Sequence, residues 1–424
     1  MAVKAGFGEV DITPTTPADV IGWARQVTAE ELNDPLYARV AIFDDGGERI
    51  AFVQLDVLGA PDELTAEIRQ AIEEAHAFAG SRVMVTTTHS HGSPAVFGAR
   101  YCSRDDAYVQ MMLEAIVSAF GDALSRMQPA KIGQASTFEF DVSENRRVRM
   151  RDGTTKTNGT FDDPNALCFE GPIDPEVAVL AAQSSDGDLL GCMVNFACHP
   201  THMGSGGCFS ANFPGVFADV MKSRGCPVPM FLQGACGNIR ARRIVHPEDP
   251  ITMEQAGTRL ADDATEVLEG LNCTDEVSLH VAARTIELPF REVTEAQKTG
   301  TATGAQRFGD ADLYDKAMPK LIERIEQQGT ARAEIQAFFV GDRAYIAIPG
   351  EYFCQHGMRV KEETFSTHTV VVGYANGHLG YIPHKEAFER GGYETTFGTS
   401  SKLAPEAGDM LADCAIELIK SQKG

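Results

Sequence analysis

The chain has 424 residues, of which 43% are hydrophobic and 23% charged, so its composition is that of an ordinary globular protein. Its formal net charge of −23 argues against general binding to nucleic acid or anionic membranes, and no apolar run approaches the length needed to span a bilayer. The first residues lack the apolar segment of a signal peptide, so we expect a cytoplasmic protein whose ten cysteines are mostly reduced thiols.

Hydrophobic periodicity and turn residues predict alternating strands and helices along the chain. The predicted elements of the first half are, in order, a strand with a proline turn at 5–16, strands at 37–43 and 49–55, a helix at 61–79, a strand at 82–88, a helix at 106–127 and a strand at 131–140. Those of the second half are strands at 177–183 and 189–197, a helix ending near 224, a strand at 228–233, a helix at 253–270, strands at 276–289, 335–340, 343–348 and 368–374, and a helix at 405–422.

This order predicts an α/β fold with a layered mixed β-sheet flanked by helices and with the chemistry at the carboxyl ends of its strands. Residues 151–166 are expected to form a polar loop. Residues 291–330 are polar and partly helical, and we expect an excursion from the main sheet instead of a separate domain. No repeat or low-complexity linker divides the chain, so we expect one domain over residues 1–424.

Two histidines follow the β-branched strand predicted at 82–88. Side chains two residues apart in an extended chain point to the same side, so His89 and His91 should leave the strand end together. A His-x-His at a strand end is typical of a metal site, but taken alone it fits a pair of surface histidines beside a turn equally well.

Further candidate ligands have the same placement. His199, His202 and Glu351 each follow a run of strand-like residues, so a sheet would present them at its carboxyl edge. A catalytic zinc site takes three or four nitrogen, oxygen or sulfur ligands and keeps a position open for water. The chain contains neither an HExxH motif nor a four-cysteine pattern, so spacing alone does not establish a site; for His202 we expect a structural role.

Seven motifs together resemble, in their order, the neutral/alkaline non-lysosomal ceramidase family. They are Asp11-Ile12-Thr13-Pro14, Thr88-His89-Ser90-His91, Asn195-Phe196-Ala197-Cys198-His199-Pro200-Thr201, Ser210-Ala211-Asn212-Phe213-Pro214-Gly215, Gln233-Gly234-Ala235-Cys236-Gly237-Asn238, Pro349-Gly350-Glu351, and Ala375-Asn376-Gly377-His378-Leu379-Gly380-Tyr381-Ile382-Pro383 with Tyr393-Glu394. The resemblance extends over nearly the whole chain and implies a ceramidase-like catalytic fold.

The resemblance implies one zinc ion per chain, with four ligands: His89, His199, Glu351 and Tyr381. It implies three catalytic groups around the reacting carbonyl: His91, Arg146 and Tyr393. Tyr381 and Tyr393 are 12 residues apart, which matches the spacing in the family. The implied reaction is the cleavage of a linear amide bond by attack of metal-bound water, with donors that stabilise the oxyanion.

Three side chains are predicted to bind substrate: Asn145, Arg240 and His378. Arg240 stands where ceramidases carry a serine, and a guanidinium is no nucleophile but matches a carboxylate or phosphate. We also expect the chain to lack the C-terminal β-sandwich domain that ceramidases carry. We therefore expect a small polar or anionic substrate in place of membrane ceramide. For Arg147 we expect an ion pair with local acidic residues.

Other interpretations remain open at this point. The same site would serve an ester or a lactone, a zinc-dependent lyase or isomerase, or a binding protein of the same fold. Asp56, at the end of the strand at 49–55, is a candidate to orient a ligand imidazole, although a solvent-exposed carboxylate is an equal alternative. The sequence leaves open whether the protein forms a homo-oligomer.

Overall fold

A computed structural model describes residues 2–99, 101–302 and 311–423. Its strands are β1 Lys4–Asp11, β2 Ala18–Ile21, β3 Val27–Ala29, β4 Glu31–Leu32, β5 Tyr37–Asp44, β6 Arg49–Leu55, β7 Val83–Thr87, β8 Ser93–Pro94, β9 Gln128–Phe138, β10 Ser143–Asn145, β11 Arg147–Met150, β12 Thr155–Thr157, β13 Ala166–Phe169, β14 Glu176–Ser184, β15 Leu189–Phe196, β16 Cys208–Phe209, β17 Pro229–Gln233, β18 Ile239–Ala241, β19 Leu279–Pro289, β20 Thr330–Val340, β21 Arg343–Ala347, β22 Glu351–Tyr352, β23 Thr369–Val372 and β24 Tyr381–Ile382. Its helices are α1 Asp62–His76, α2 Asp106–Ser125, α3 Phe213–Ser223, α4 Met253–Glu269, α5 Glu295–Lys298, α6 Ala311–Gln328, α7 Cys354–Glu363, α8 Lys385–Arg390 and α9 Ala407–Lys420.

Two sheets form the centre of the fold. One has eight strands in the order β17-β15-β14-β9-β1-β5-β6-β7, and the other has four in the order β19-β20-β21-β23. Most neighbours are antiparallel, but β15–β17, β6–β7 and β21–β23 are parallel pairs. The prediction of a mixed sheet is confirmed, whereas the single main sheet is divided into two.

The two sheets pack face to face. Phe43 and Phe52 of the larger sheet lie in one buried cluster with Phe338 and Tyr345 of the smaller sheet. The alternate residues of β5 face the other way, because successive side chains of a strand point to opposite faces. A strand with both faces covered is mostly apolar, which is why β5, β6 and β7 each contain a continuous apolar run, at 40–43, 50–53 and 83–85.

Helices cover the outer faces of both sheets. Buried residues of α1 and α2 pack on β5, β6 and β7, and those of α3 and α4 pack on β14, β15 and β17. On the smaller sheet, α7 and α9 pack against β20, β21 and β23. The chain therefore has the layers helix, sheet, sheet and helix, and no helix among its described residues is long and apolar enough to cross a membrane.

Several segments differ from the prediction, among them helix α8 and some short strands. Helix α7 was missed, because its ten residues carry a glycine and show a weak apolar pattern. The expected polar loop at 151–166 contains β12 and leads into β13, and both pair with β11. The segment at 291–330 contains α5 and α6, and α6 packs Tyr314 and Met318 against Phe397; residues 303–310 lie outside the described residues.

The contact between α7 and α9 contains a buried histidine. The ring of His356 stacks on Tyr352 at 4.9 Å, and a Cβ added to Gly408 of α9 would overlap it. Burial lowers the pKa of His356 to about 4. The unfolded chain, with an ordinary histidine pKa of about 6.5, therefore binds this proton more readily than the folded chain does. The contribution of neutral His356 to the free energy of unfolding is therefore complete above about pH 6.5, and it is lost as the pH decreases toward 4.

We expect His356→Gln to flatten this pH dependence. The measurement is the free energy of unfolding of the metal-free protein in urea between pH 4 and 6.5. Its slope against pH should be smaller in the variant than in the unsubstituted protein by up to about 1.4 kcal/mol per pH unit, which is the effect of one bound proton. The control is His246→Gln, which removes an exposed histidine. An unaltered slope in His356→Gln would contradict the prediction.

Candidate metal centre

Two of the histidine-bearing strand ends are joined by one glutamine. Gln233, the last residue of β17, donates from its side-chain nitrogen to the carbonyl of Thr88 at 3.1 Å and to that of Cys198 at 2.9 Å. These carbonyls directly precede His89 and His199. Gln233 is fully buried, so its amide has no competing solvent. The sequence reasoning did not single it out, although it begins one of the seven motifs.

The prediction that His89 and His91 leave an extended strand together is wrong in its geometry. β7 ends at Thr87, and His89 has a φ of 62°, in the left-handed region that residues with a side chain rarely adopt. The chain therefore turns at His89, and the two rings stand perpendicular with centroids 4.9 Å apart. Such strain persists where the surrounding structure enforces it and clusters at functional sites. The two Nε2 atoms still meet, at 3.2 Å.

The hydrogen bonds of the Nδ1 atoms distinguish the roles of His89, His91 and His199. Nδ1 of His89 lies 2.6 Å from the carbonyl oxygen of Leu58, and Nδ1 of His199 lies 2.6 Å from that of Cys236. Each Nδ1 must therefore carry the proton, which leaves the Nε2 lone pair for a metal, as in most metal-bound histidines. Nδ1 of His91 is buried without a hydrogen-bond partner among the described residues. His91 thus lacks the hydrogen bond from Nδ1 that orients His89 and His199.

Glu351 brings a carboxylate to the same point. Its Oε2 lies 3.2 Å from Nε2 of His199 and 3.5 Å from Nε2 of His89. Ligands about 2.0–2.1 Å from a tetrahedral zinc ion lie about 3.3 Å from one another, so these separations fit that ion. Glu351 is paired with Tyr381 across the parallel strands β22 and β24. By distance alone, His91 belongs to the group as well, since nitrogens of His89, His91 and His199 lie within 4.8 Å.

The protonation states suit a cation. Burial, reinforced by Arg146, lowers the pKa of His199 to about 4. Burial and the neighbouring His89 and His199 lower the pKa of His91 well below its ordinary value. Burial alone would raise the pKa of Glu351, but the neighbouring His199 and His89 outweigh burial and hold this pKa well below its usual range. Neutral imidazoles and an ionised carboxylate are the forms that bind metal.

Arg146 lies against Tyr381 on one side of this cluster. Its Nη2 donates to the hydroxyl of Tyr381 at 3.1 Å and to the carbonyl of Gly237 at 2.9 Å. The ring of Tyr393 stands nearly perpendicular to that of Tyr381, with centroids 5.8 Å apart. The structure thus gathers His91, Arg146 and Tyr381 in one site, with Tyr393 packed beside it. Their catalytic and ligand roles stay predictions.

The three predicted substrate residues occupy different positions. Asn145 is buried, and its amide binds the carbonyl of Pro172 and the backbone N–H of Arg147. Arg240 is half-buried, bridges by its backbone to His199, and donates from Nη1 to Asn158 at 2.6 Å. Within the part of the chain that is described, no carboxylate forms an ion pair with Arg240. Whether these residues bind substrate stays a prediction.

His378 is also half-buried and lies at the edge of the cluster. Its ring centroid is 6.1 Å from that of His89 and 5.1 Å from that of Phe97. Its Nδ1 makes no hydrogen bond to a described residue. A second aromatic, Tyr374, stacks on His89 at 4.0 Å and shares a hydrogen bond with Cys236; sequence reasoning missed it.

Asp56 does not have the predicted role. It is fully buried and pairs with Arg39 at 3.0 Å, so it is neither an exposed carboxylate nor the partner of an imidazole. The carbonyl of Leu58, two residues further on, orients His89 instead. The expected ion pairing of Arg147 is confirmed, because Arg147 binds both Glu170 and Glu394. Side-chain patterns cannot reveal a backbone acceptor, which explains the error at Asp56.

Comparison with known proteins shows which family the chain resembles. Residues 3–210 match the model of the family described as neutral/alkaline non-lysosomal ceramidase, N-terminal. The first half of the chain therefore matches the neutral/alkaline non-lysosomal ceramidase family. The chain is 21% identical to the neutral ceramidase of Pseudomonas aeruginosa in an alignment of 494 residues that covers 98% of this chain and 72% of that protein. This similarity supports a hydrolase that acts on amide bonds.

Solved ceramidase structures confirm the predicted α/β fold. The crystal structure of neutral ceramidase from Pseudomonas aeruginosa matches with a TM-score of 0.76 and 19% identity, over 100% of this chain and 74% of that chain. A structure described as ceramidase complexed with C2 matches with a TM-score of 0.75 and 16% identity, over 100% of this chain and 75% of that chain. Neutral ceramidases are metal-dependent, which agrees with the cluster of three histidines.

Proposed function

We propose that this ceramidase-like chain is a zinc-dependent hydrolase that cleaves a linear amide bond with water as the nucleophile. One observation carries the proposal: the Nε2 atoms of His89 and His199 lie 3.5 and 3.2 Å from one carboxylate oxygen of Glu351, and both rings are anchored at Nδ1 by backbone carbonyls. These residues, with Tyr381, would hold one zinc ion per chain. Bound zinc lowers the pKa of a water ligand and polarises a carbonyl.

The remaining side chains supply the charge and proton handling that amide cleavage needs. Burial works against the charge of Arg146, but Tyr381 and Glu394 raise its pKa well above the ordinary value, so it is a permanent cation. A fixed cation beside the reacting carbonyl stabilises the oxyanion that develops there. Burial depresses the pKa of His91, so its imidazole is neutral and keeps a lone pair, which would accept a proton from the attacking water. Tyr393 would donate a hydrogen bond to the same oxyanion.

We also propose that the substrate is small and carries a negative charge. Arg240 borders His199 and forms no ion pair within the described residues, although Glu144 lies opposite it on β10. Burial and the nearby Arg146 lower the pKa of Arg240, so an anion that neutralises it would be favoured. Guanidinium groups bind carboxylates and phosphates through two parallel hydrogen bonds.

A single domain, a cytoplasmic location and the absence of nucleic-acid and membrane partners stay predictions, and the oligomeric state is open.

Turnover of short N-acyl amino acids by purified protein tests the proposal. We expect hydrolysis that a chelator removes and zinc restores, with one ¹⁸O atom from labelled water in the released carboxylate. Product formation without ¹⁸O would favour a lyase or isomerase, and exclusive cleavage of esters or lactones would remove the amide assignment. Retention of substrate without turnover would indicate a binding protein.

A further inference from the structure

One buried carboxylate beside the cluster forms an ion pair with Arg146. Glu394 directly follows Tyr393 and is fully buried. Its two oxygens bind two different arginines: Oε1 accepts from Nε of Arg146 at 2.7 Å, and Oε2 accepts from Nη1 of Arg147 at 2.6 Å. The hydroxyl of Thr157 also donates to Oε2, at 2.7 Å. Glu394 therefore joins the segment that carries both arginines to the loop that carries Tyr393.

This carboxylate restrains the orientation of Arg146. With Nε on Glu394 and with Nη2 on Tyr381 and Gly237, the planar guanidinium cannot rotate without breaking a buried charge-assisted hydrogen bond. Nη1 of Arg146 makes no hydrogen bond within the described chain. It is the terminal nitrogen left for a substrate oxygen.

The balance of charge makes Glu394 necessary for this arrangement. Arg146 and Arg147 are adjacent and both buried, and Glu170 and Glu394 are the buried carboxylates that neutralise them. Glu170 binds Arg147 but not Arg146. Without the charge of Glu394, Arg146 would keep no described carboxylate within ion-pair distance. A buried cation without a partner is strongly disfavoured, so Arg146 would move.

We propose that Glu394 is a positioning residue, which holds Arg146 against Tyr381 and thereby keeps the Tyr381 oxygen placed for the metal and Nη1 of Arg146 placed for the substrate carbonyl. This inference rests on the proposed function, because it takes Tyr381 as a ligand and Arg146 as a group facing the substrate. Glu394 itself touches neither.

Glu394→Gln tests the inference, because it keeps the shape of the side chain and removes its charge. We expect kcat to fall about 10- to 100-fold and zinc affinity, measured by competition with a chelator on the metal-free protein, to weaken about tenfold, as for other groups that act behind a ligand. KM should change less than about threefold, since Arg146 stabilises the oxyanion of the transition state more than the bound substrate, and the proposed anion contact of Arg240 remains.

The matched control is Glu170→Gln. It removes another fully buried carboxylate of the same network and leaves every contact of Arg146 in place. We expect it to lower the thermal unfolding temperature about as much as Glu394→Gln does, without changing kcat or zinc affinity. Equal losses of kcat and zinc affinity in both variants would mean that Glu394 has only a structural role.

A double variant shows whether Glu394 acts through Arg146. Adding Glu394→Gln to Arg146→Lys should lower kcat no further than Arg146→Lys alone, because the group that is positioned has already been replaced. Additive losses would overturn the inference. If Glu394→Gln does not fold, Glu394→Asp keeps the charge but is too short to reach both arginines, and the same readouts apply.

The inference and the proposed function fail in different ways. A His89→Ala variant that keeps its metal and its turnover would overturn the proposed function. If His89→Ala loses both but Glu394→Gln behaves as the unsubstituted protein does, only the role of Glu394 is wrong.

Discussion

Replacing Glu351 by glutamine will remove both the metal and the hydrolytic activity of this protein. Among the described residues, this carboxylate is the anionic group that contacts the imidazoles, and its Oε2 lies 3.2 and 3.5 Å from the Nε2 atoms of His199 and His89. A neutral amide cannot balance a divalent cation in a buried site, so we expect a loss of at least about a thousandfold in kcat/KM. Metal analysis of the purified variant, together with turnover of an N-acyl amino acid, measures both effects.

Two further variants make this prediction specific. Glu176→Gln is the control for loss of a partly buried carboxylate, because Glu176 forms its ion pair with Lys361 at 2.8 Å. His91→Ala should keep the metal and lose turnover, since the Nδ1 atom of His91 has no anchoring acceptor in the described structure. Full metal content and turnover in Glu351→Gln would contradict the assignment. Loss of the metal from His91→Ala would make His91 a ligand.

Arg240→Gln will discriminate between anionic and neutral substrates. Glutamine keeps hydrogen-bond donors but removes the charge that Arg240 holds beside His199. Hydrogen bonds to charged groups contribute about 1.5–3 kcal/mol, so kcat/KM for an N-acyl amino acid should fall about 10- to 100-fold. For the matching substrate whose carboxylate is capped as an amide, kcat/KM should change less than about threefold.

The neighbouring Arg243 supplies the control for this experiment. It is exposed and follows the end of β18, which carries Arg240, so Arg243→Gln removes the same charge from the protein without altering the site. We expect no change in preference between the two substrates. An equal loss for the anionic and the capped substrate in Arg240→Gln would show that Arg240 supports the fold and does not select the anion.

Local pattern was sufficient to place most elements. β6 spans Arg49–Leu55, as predicted, and β5 agrees to within one residue, because Gly46 and Gly47 form the turn between two apolar strands. α9 begins and ends within two residues of the predicted helix at 405–422. Alternation, helical spacing and turn residues are properties of neighbouring residues, and sequence reports them directly.

The candidate site was predicted in a different way. His89, His199, Glu351 and Tyr381 were selected by the resemblance of ordered motifs, and the structure brings them to adjoining strand ends. Periodicity would have left His89 and His91 equivalent. The two are distinguished by the backbone carbonyl of Leu58, which accepts from His89, whereas Nδ1 of His91 has no acceptor among the described residues.

By itself, then, the sequence determined the strands and helices, the order of the motifs and the chemical types at the centre. The tertiary structure decided the division of the strands into two sheets, the left-handed turn at His89, and the pairing of Glu394 with two arginines. The reason is physical: these features depend on contacts between residues far apart in the chain. An apolar strand buried on both faces has the same pattern in either sheet.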